Sequence, residues 1–423
     1  MTRPTVAVIG GGWAGLAAAA ALAESADVTL FEAGKVLGGR ARSVSPADSG
    51  FDFLDNGQHL LVGAYHRILA LLQRAGVAEN DAFLRLPLTW YLADGIRFQA
   101  ARLKAPWHLL AGIARGEHMG WRDKLDLLRQ MQALQRWHRK AEADISVAEW
   151  LAAHKVDARW QQQFWQPLVW GALNTPLAQA STWRLGNVLA DGVWRQREDS
   201  DMLIARRDLG ESWVEPVAGL LRYLGVDIRC GHRVQQLHSG EHGVLVDGEV
   251  FHRVIVALAP YHVAALLPQA AAFNSLVYHA ITTVYLRYAQ PLPLPQPLVG
   301  FATGTAQWLI GRGALGGDAR EVAAVISLSD QLPPYTSAQW AEAVHRDIQR
   351  LFPALPPPLA ARTITEKRAT VACTPGYTPP PQDALAAQHV YLAGDYLHPR
   401  YPATLEAAVQ SGESAATLCL RSF

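Results

Sequence analysis

Gly10, Gly12 and Gly15 stand at G-x-G-x-x-G spacing, directly after the apolar run Val6-Ala7-Val8-Ile9 and directly before an alanine-rich helix pattern that continues to Ala23. A segment of this kind folds as strand, tight turn and helix, and the turn leaves the first helical amides free to meet a phosphate. Gly10 permits the turn, Gly12 lets the backbone approach a pyrophosphate, and Gly15 lets the helix pack close to the strand. Glu32 ends the next apolar strand, Val28-Thr29-Leu30-Phe31. That is about the 20-residue distance at which a carboxylate reaches a ribose hydroxyl. The pattern predicts a bound dinucleotide. Counted alone, the uncharged run from Val6 to Ala23 also fits a membrane span or the apolar part of a signal peptide. The glycines at 10, 11, 12 and 15 argue against both, since each costs a helix about 1 kcal/mol relative to alanine, and neither alternative accounts for Glu32.

The elements that must position these residues alternate in texture along the chain. The nucleotide unit continues through Gly38-Gly39-Arg40-Ala41-Arg42-Ser43 and Phe51-Asp52-Phe53-Leu54-Asp55-Asn56-Gly57-Gln58-His59, where glycines again mark backbone pressed against a neighbour. From 86 to 204 Trp-rich, helix-periodic segments take over, with Leu125, Leu128, Met131 and Leu134 as one stripe. Strands return between Ile228 and Pro260, with a hairpin signal at Gly243 to Gly248 and a buried strand at Val254-Ile255-Val256-Ala257. Beyond 262 the texture is mixed and includes an amphipathic helix with Trp340, Val344, Ile348 and Leu351 on one face. Proline clusters at 291–297, 353–358 and 379–381 read as stiff loops. Val390 to Asp395 is a last buried strand ending in a turn, followed by a helix from about Ala403 to Leu420. The expected fold is α/β: a nucleotide-binding domain built from residues 1–85, 205–262 and 385–423. A mixed α+β substrate domain, 86–204 and 263–384, is inserted into it.

Composition narrows the function. With 423 residues the chain suggests two or three domains, and a net charge of +1 gives no indication of a nucleic-acid surface. Charged residues make up 18% and tryptophan numbers 14, which points to a large core or an apolar ligand. Three separated cysteines, Cys230, Cys373 and Cys419, suggest a reducing compartment and neither disulfides nor zinc. No second uncharged run approaches bilayer thickness, so a cytoplasmic or peripheral protein is expected. Pro106-Trp107-His108-Leu109-Leu110-Ala111-Gly112-Ile113-Ala114-Arg115, flanked by Arg102 and Lys104, has the composition of an interfacial segment and predicts peripheral membrane contact.

The glycine motif, Glu32, Gly38-Gly39-Arg40, the mid-chain strands and Ala393-Gly394-Asp395 together resemble the flavoprotein superfamily of amine oxidases, protoporphyrinogen oxidase and carotenoid desaturases. Asp55-Asn56-Gly57-Gln58-His59-Leu60-Leu61 and the run from Tyr401 to Gly412 are most similar to the hydroxysqualene dehydroxylase family, also called squalene-associated FAD-dependent desaturases. Phe164-Trp165-Gln166-Pro167-Leu168 and Ala172-Leu173-Asn174-Thr175-Pro176 also resemble that family. The resemblance spans the chain and implies a Rossmann-like, GR2-type FAD-binding domain. It implies an extended FAD with its adenosine end on Glu32 and its pyrophosphate on Gly10, Gly12, Trp13, Ala14, Gly15, Gly39 and Arg40. The ribityl chain would lie near Gly394 and Asp395, and the flavin ring beside Gly57, Gln58 and His59. Ala33, Val234 and Ala257 are expected along the same cofactor. Pro402, Ala403 and Thr404 would open a helix whose N-terminus favours the negative charge of a reduced flavin.

The resemblance further implies reductive removal of the allylic hydroxyl of hydroxysqualene, a C30 isoprenoid, to give squalene in hopanoid biosynthesis. Alternatives are an oxidative, phytoene-type desaturase and a non-catalytic flavin-stabilised lipid carrier. Loss of hydroxide needs an acid, for which His59 is the first candidate, as an imidazole titrating near neutrality, and Tyr401 the second. His66, seven residues on, is placed on one helix face with His59, but no third ligand appears and no metal site is expected. Neither a covalent-flavin motif nor a second G-x-G-x-x-G is present, so the external electron donor is not written in the chain.

Overall fold

The computed structural model describes residues 3–47, 49–140, 143–240 and 243–421. Strand β1 (Thr5–Ile9), helix α1 (Trp13–Leu22) and strand β2 (Asp27–Glu32) open the fold. A helical stretch follows with α2 (Trp107–Ala114), α3 (Trp121–Arg139), α4 (Gln166–Leu173) and α5 (Thr182–Gly192). Strands β3 (Asp227–Cys230) and β4 (Arg253–Val256) lead into β5 (Tyr278–Arg287), β6 (Leu298–Gly300), β7 (Trp308–Gly311) and β8 (Glu321–Ser327). Helix α6 (Ser337–Gln349), β9 (Ala360–Val371), β10 (Val390–Leu392) and α7 (Leu405–Arg421) complete the elements used below.

A parallel sheet of order β3-β2-β1-β4-β10 carries the nucleotide motif. Its middle strand is apolar on both faces because both are covered, as parallel sheets require, and Val8 lies between Leu30 and Ile255. These strands come from chain segments more than 350 residues apart, yet their carboxyl ends meet at one edge. Helix α1 covers one face and is buried nearly all round, because α7 lies across it. The crossing is set by Gly412, where an added Cβ would stand 2.1 Å from the Ala14 carbonyl oxygen.

A second sheet, antiparallel and of order β6-β7-β8-β5-β9, packs α6 on one face through Val284, Leu286, Trp340, Val344 and Ile348. Its other face turns toward the segment 55–58. The Tyr285 hydroxyl donates to the Asp55 carbonyl at 3.0 Å, and the Gln58 amide donates to the Thr283 hydroxyl at 3.2 Å. The helical stretch has its own aromatic core, with Trp150, Trp160 and Trp165 fully buried.

The Val6 to Ala23 run forms the expected strand and helix, and among the described residues no helix is long and apolar enough to cross a membrane. Other sequence expectations are corrected. On α3 the buried stripe is Leu127, Gln130, Met131, Leu134 and Trp137, while Leu125 faces solvent. The 86–204 stretch also contains short strands at Thr89–Tyr91, Arg97–Gln99 and Met202–Ala205. Helix α7 starts at Leu405, because the Thr404 hydroxyl accepts the Ala407 amide at 3.1 Å and ends the helix there. Pro402 therefore precedes the helix and is not in its first turn. The hairpin stands as expected, with Asp247 (φ 46°) and Gly248 (φ 90°) forming its turn.

The α1 and α7 contact has a direct consequence. Gly412→Val would force two buried helices apart against a backbone carbonyl and is expected to destabilise the protein by about 3 kcal/mol, with loss of cofactor retention. Chemical denaturation of the purified variant checks this; a midpoint equal to that of the parent would refute the close-packing account.

Candidate active site

The carboxyl edge of the parallel sheet gathers most of the residues that sequence reasoning singled out. Gly10 takes φ 111°, donates its amide to the Phe31 carbonyl at 2.7 Å, and passes so close to Ala257 that a Cβ would lie 2.5 Å from its carbonyl oxygen. Gly12, the residue before α1, faces Gly39 across a gap in which the nearest atom to an added Cβ is the Gly39 Cα, at 3.8 Å. No side chain caps α1 and no acid stands in its first turn, so its amino-terminal amides are bare. This cradle fits an anionic group. The Glu32 carboxylate closes it by accepting the Gly11 amide at 2.7 Å and the Gly34 amide at 2.6 Å. Ala33 is exposed beside it, whereas Val234 is buried against the sheet. Beside the cradle Trp13 stacks on Trp213 at 3.9 Å, and Ala14 packs beneath α7.

Arg40 and Asp395, expected at separate points along the cofactor, meet directly. Nη2 of Arg40 donates to both Asp395 oxygens at 2.8 and 2.7 Å, and Nη1 to the Ala369 carbonyl at 2.7 Å. The pair ties the second glycine stretch to the end of β10, where the Gly394 amide donates to the Ser411 hydroxyl on α7 at 3.0 Å.

Gly57, Gln58 and His59 form an extended loop against β5. An added Cβ on Gly57 would meet only ordinary contacts, at 3.8 Å and beyond, so its face is open to a flat ring. Gln58 Oε1, His59 Nδ1 and, at the start of β5, the Tyr278 hydroxyl are buried without a partner, as groups awaiting a ligand or water would be. Burial, reinforced by the Arg40 charge against the opposing pull of the Gly57 carbonyl, lowers the His59 pKa to about 4. At neutral pH this imidazole is uncharged, which corrects the expectation that it titrates near neutrality. Nor do His59 and His66 share a helix face: His59 precedes a short strand, and His66 opens the following helix with its Nε2 2.7 Å from Asp199. Among the described residues no cluster of metal-binding side chains occurs.

Tyr401 is likewise committed elsewhere. Its hydroxyl donates to Asp191 on α5 at 2.6 Å, its ring stacks on His398 at 4.7 Å, and burial followed by Asp191 raises its pKa to about 12. As a proton donor to a substrate it is held in the wrong direction by a carboxylate. Behind it lies a small cavity of about 20 Å³ bounded by Asp395, Tyr396, Pro402, Ala403, Tyr377 of the loop after β9 and, from the helical region, Arg184. Sequence reasoning missed Arg184, Asp191 and Tyr278. For Arg184 a signal existed: it is a charged residue on the buried face of an amphipathic helix, between Thr182, Leu185 and Leu189.

The sequence profile of flavin-containing amine oxidoreductases matches residues 13–420. Over 98% of both chains, the protein is 26% identical to a hydroxysqualene dehydroxylase of Zymomonas mobilis and 29% identical to one of Rhodopseudomonas palustris. Its fold is similar to the crystal structure of a protein from Exiguobacterium described as a protoporphyrinogen oxidase, with a TM-score of 0.71, 19% identity and full coverage of both chains.

The His59 shift fixes the sign of a pH effect. A histidine with a folded pKa of about 4 and an unfolded one near 6.5 leaves the unfolded chain holding more protons between those values, so stability falls as pH drops through that window. The parent protein should lose stability from pH 6.5 to 4 more steeply than His59→Gln, by about 1 to 3 kcal/mol across the window. Denaturant midpoints at half-unit pH steps measure it; parallel profiles would show that His59 is not held neutral.

Proposed function

The chain belongs to the flavin-containing amine oxidoreductases, and from that membership we propose that it converts hydroxysqualene to squalene with FAD as cofactor. The observation that carries the reading is the end-to-end match to dehydroxylases of two organisms, joined to a cradle in which Gly10, Gly12, Glu32, Gly39 and the Arg40–Asp395 pair of this chain converge. The desaturases of phytoene that also match are more distant. Residues 1–85, 205–262 and 385–423 form the cofactor domain in this reading, and 86–204 with 263–384 the substrate domain.

The α1 amides, Gly12 and Gly39 would hold the pyrophosphate of FAD, and Glu32 its adenosine ribose. Arg40 and Asp395 would lie along the middle of the cofactor, and Gly57 to His59 with Pro402 to Thr404 around its ring. When bound and reduced, FAD supplies the hydride equivalent that takes the place of the hydroxyl. The balance is one hydride and one proton consumed, with one C–O bond broken, one C–H bond formed and one water released. The allylic double bond spreads the positive charge that develops at the carbon. His59, neutral in its burial, orients the hydroxyl as a hydrogen-bond partner, and the proton reaches the oxygen through ordered water. Burial of the site strengthens each of these contacts by excluding bulk solvent. The pH dependence of kcat should therefore show no inflection between 5 and 8 that disappears in His59→Gln.

Anaerobic incubation of the reduced, FAD-loaded protein with hydroxysqualene is expected to yield one squalene per flavin. Reduction of the oxidised protein by a polyisoprenoid would instead support a desaturase, and no redox change with either substrate a lipid carrier.

Access for a C30 substrate favours a membrane-facing surface in a cytoplasmic, reducing setting. Trp107 is 63% exposed and Trp121 68%, with Leu103 and Leu125 also exposed, while Arg102, Lys104, Arg115 and Arg122 surround them. Leu109 and Ile113 face the core, so α2 keeps one side for packing and offers the other. The two helices are joined where Lys124 donates to the Ala114 carbonyl at 2.8 Å. Apolar anchors within a basic rim suit an anionic lipid surface. Flotation with phosphatidylglycerol vesicles should fall at least fivefold in Trp107→Asp/Trp121→Asp, and equal flotation of parent and variant would refute the contact.

A further inference from the structure

Arg184, 4% exposed, stands on α5 in the wall of the cavity that Asp395, Pro402 and Ala403 also line. Nη1 donates to the carbonyls of His398, at 3.1 Å, and of Tyr401; Nη2 donates to that of Tyr377 at 3.3 Å, and the Tyr377 ring lies 5.3 Å away. Among the described residues it makes no ion pair. One turn further along α5, Asn187 donates to the Arg400 carbonyl at 2.9 Å. Its Oδ1 is in turn 2.8 Å from His138 on α3. The helix thus clamps three carbonyls of the loop 398–401, which runs directly into the amino end of α7.

A buried arginine satisfied wholly by neutral oxygens keeps its full positive charge in a poorly screened place. Asp395, the one carboxylate lining the same cavity, is already neutralised by Arg40. With Arg40 counted, the side chains lining this cavity therefore sum to a positive charge, next to Pro402 and Ala403, which lead into α7.

We propose that Arg184 is a positioning residue that also sets the electrostatics of the flavin: its carbonyl clamp fixes the 398–401 loop, and its unpaired charge favours the negative charge that reduced FAD carries at its pyrimidine side. The inference rests on the FAD reading above. It also makes α5, an element of the substrate domain, the means by which that domain fixes the redox behaviour of the cofactor. A charge held in advance where charge develops needs no reorganisation during the reaction.

The test uses FAD-loaded parent, Arg184→Gln and Arg184→Lys proteins, with flavin-to-protein ratio and melting temperature measured first. Sulfite, which adds to oxidised flavin when a positive charge stabilises the resulting anion, is titrated by the loss of flavin absorbance. The expected result is a sulfite Kd raised at least tenfold in Arg184→Gln and less than threefold in Arg184→Lys, with the midpoint potential falling in the same order. Equal sulfite constants in parent and Arg184→Gln would overturn the proposal. Should Arg184→Gln not fold, Arg184→Lys decides, because a tenfold loss with the charge retained also overturns it. A parent protein that takes up no FAD at all would sink the cofactor reading, a failure distinct from either.

Discussion

The site depends on one backbone crossing. Gly10 leaves β1 beneath the carbonyl of Ala257, at the end of β4, with no room between them for a Cβ. Because the two strands are neighbours in a parallel sheet, that contact fixes where the first turn, the bare amides of α1 and the ends of β4 and β10 stand relative to one another. A parallel sheet forces this arrangement, since its strands all finish on the same side and its ligand crevice opens there. The Gly412 crossing then locks α1 under α7, so the amino ends of two helices are held at a single edge.

On that edge the charges are arranged in pairs between distant segments of the chain. Arg40 binds Asp395 across most of the chain's length, and Asp191 of the helical region holds both Arg400 and Tyr401. Such pairs join segments that no covalent continuity keeps together. Partly buried, they act mainly by making the wrong arrangement costly, since either partner alone would leave an uncompensated charge. Arg184 differs in kind, because carbonyl dipoles orient it without cancelling its charge.

The nucleotide half of the fold was legible because its signals are local. Glycines at fixed spacing, an apolar strand and a carboxylate at its end report backbone conformation directly, and β1, α1, β2 and the hairpin at 243–248 appear where the pattern placed them. On α3 the pattern is only half informative: Met131 and Leu134 are buried, whereas Leu125 and Leu128 continue the helical period on a side that is not fully covered by protein. The start of α7 was misjudged because proline before a helix is compatible with either side of its cap, and the Thr404 hydroxyl decides between them. The roles of His59 and Tyr401 were illegible for a deeper reason. Residue type gives a reference pKa, but burial and a distant Asp191 decide which way the proton is held, and these depend on contacts made only after folding.

In the proposed reaction, a neutral His59 and a tethered Tyr401 bear on how an allylic alcohol is activated. A fully charged acid at such a site would demand a counter-charge in apolar surroundings, at a desolvation cost of several kcal/mol. A neutral hydrogen-bond partner avoids that cost and leaves the stabilisation of developing charge to fixed groups at the edge of the site. The structure distributes the work accordingly. Cationic character is concentrated at the 398–401 loop through Arg184, whereas the Gly57 to His59 loop opposite β5 carries no formal charge at neutral pH. An apolar chain can lie against such a surface, and only its oxygen-bearing carbon need approach the polar rim.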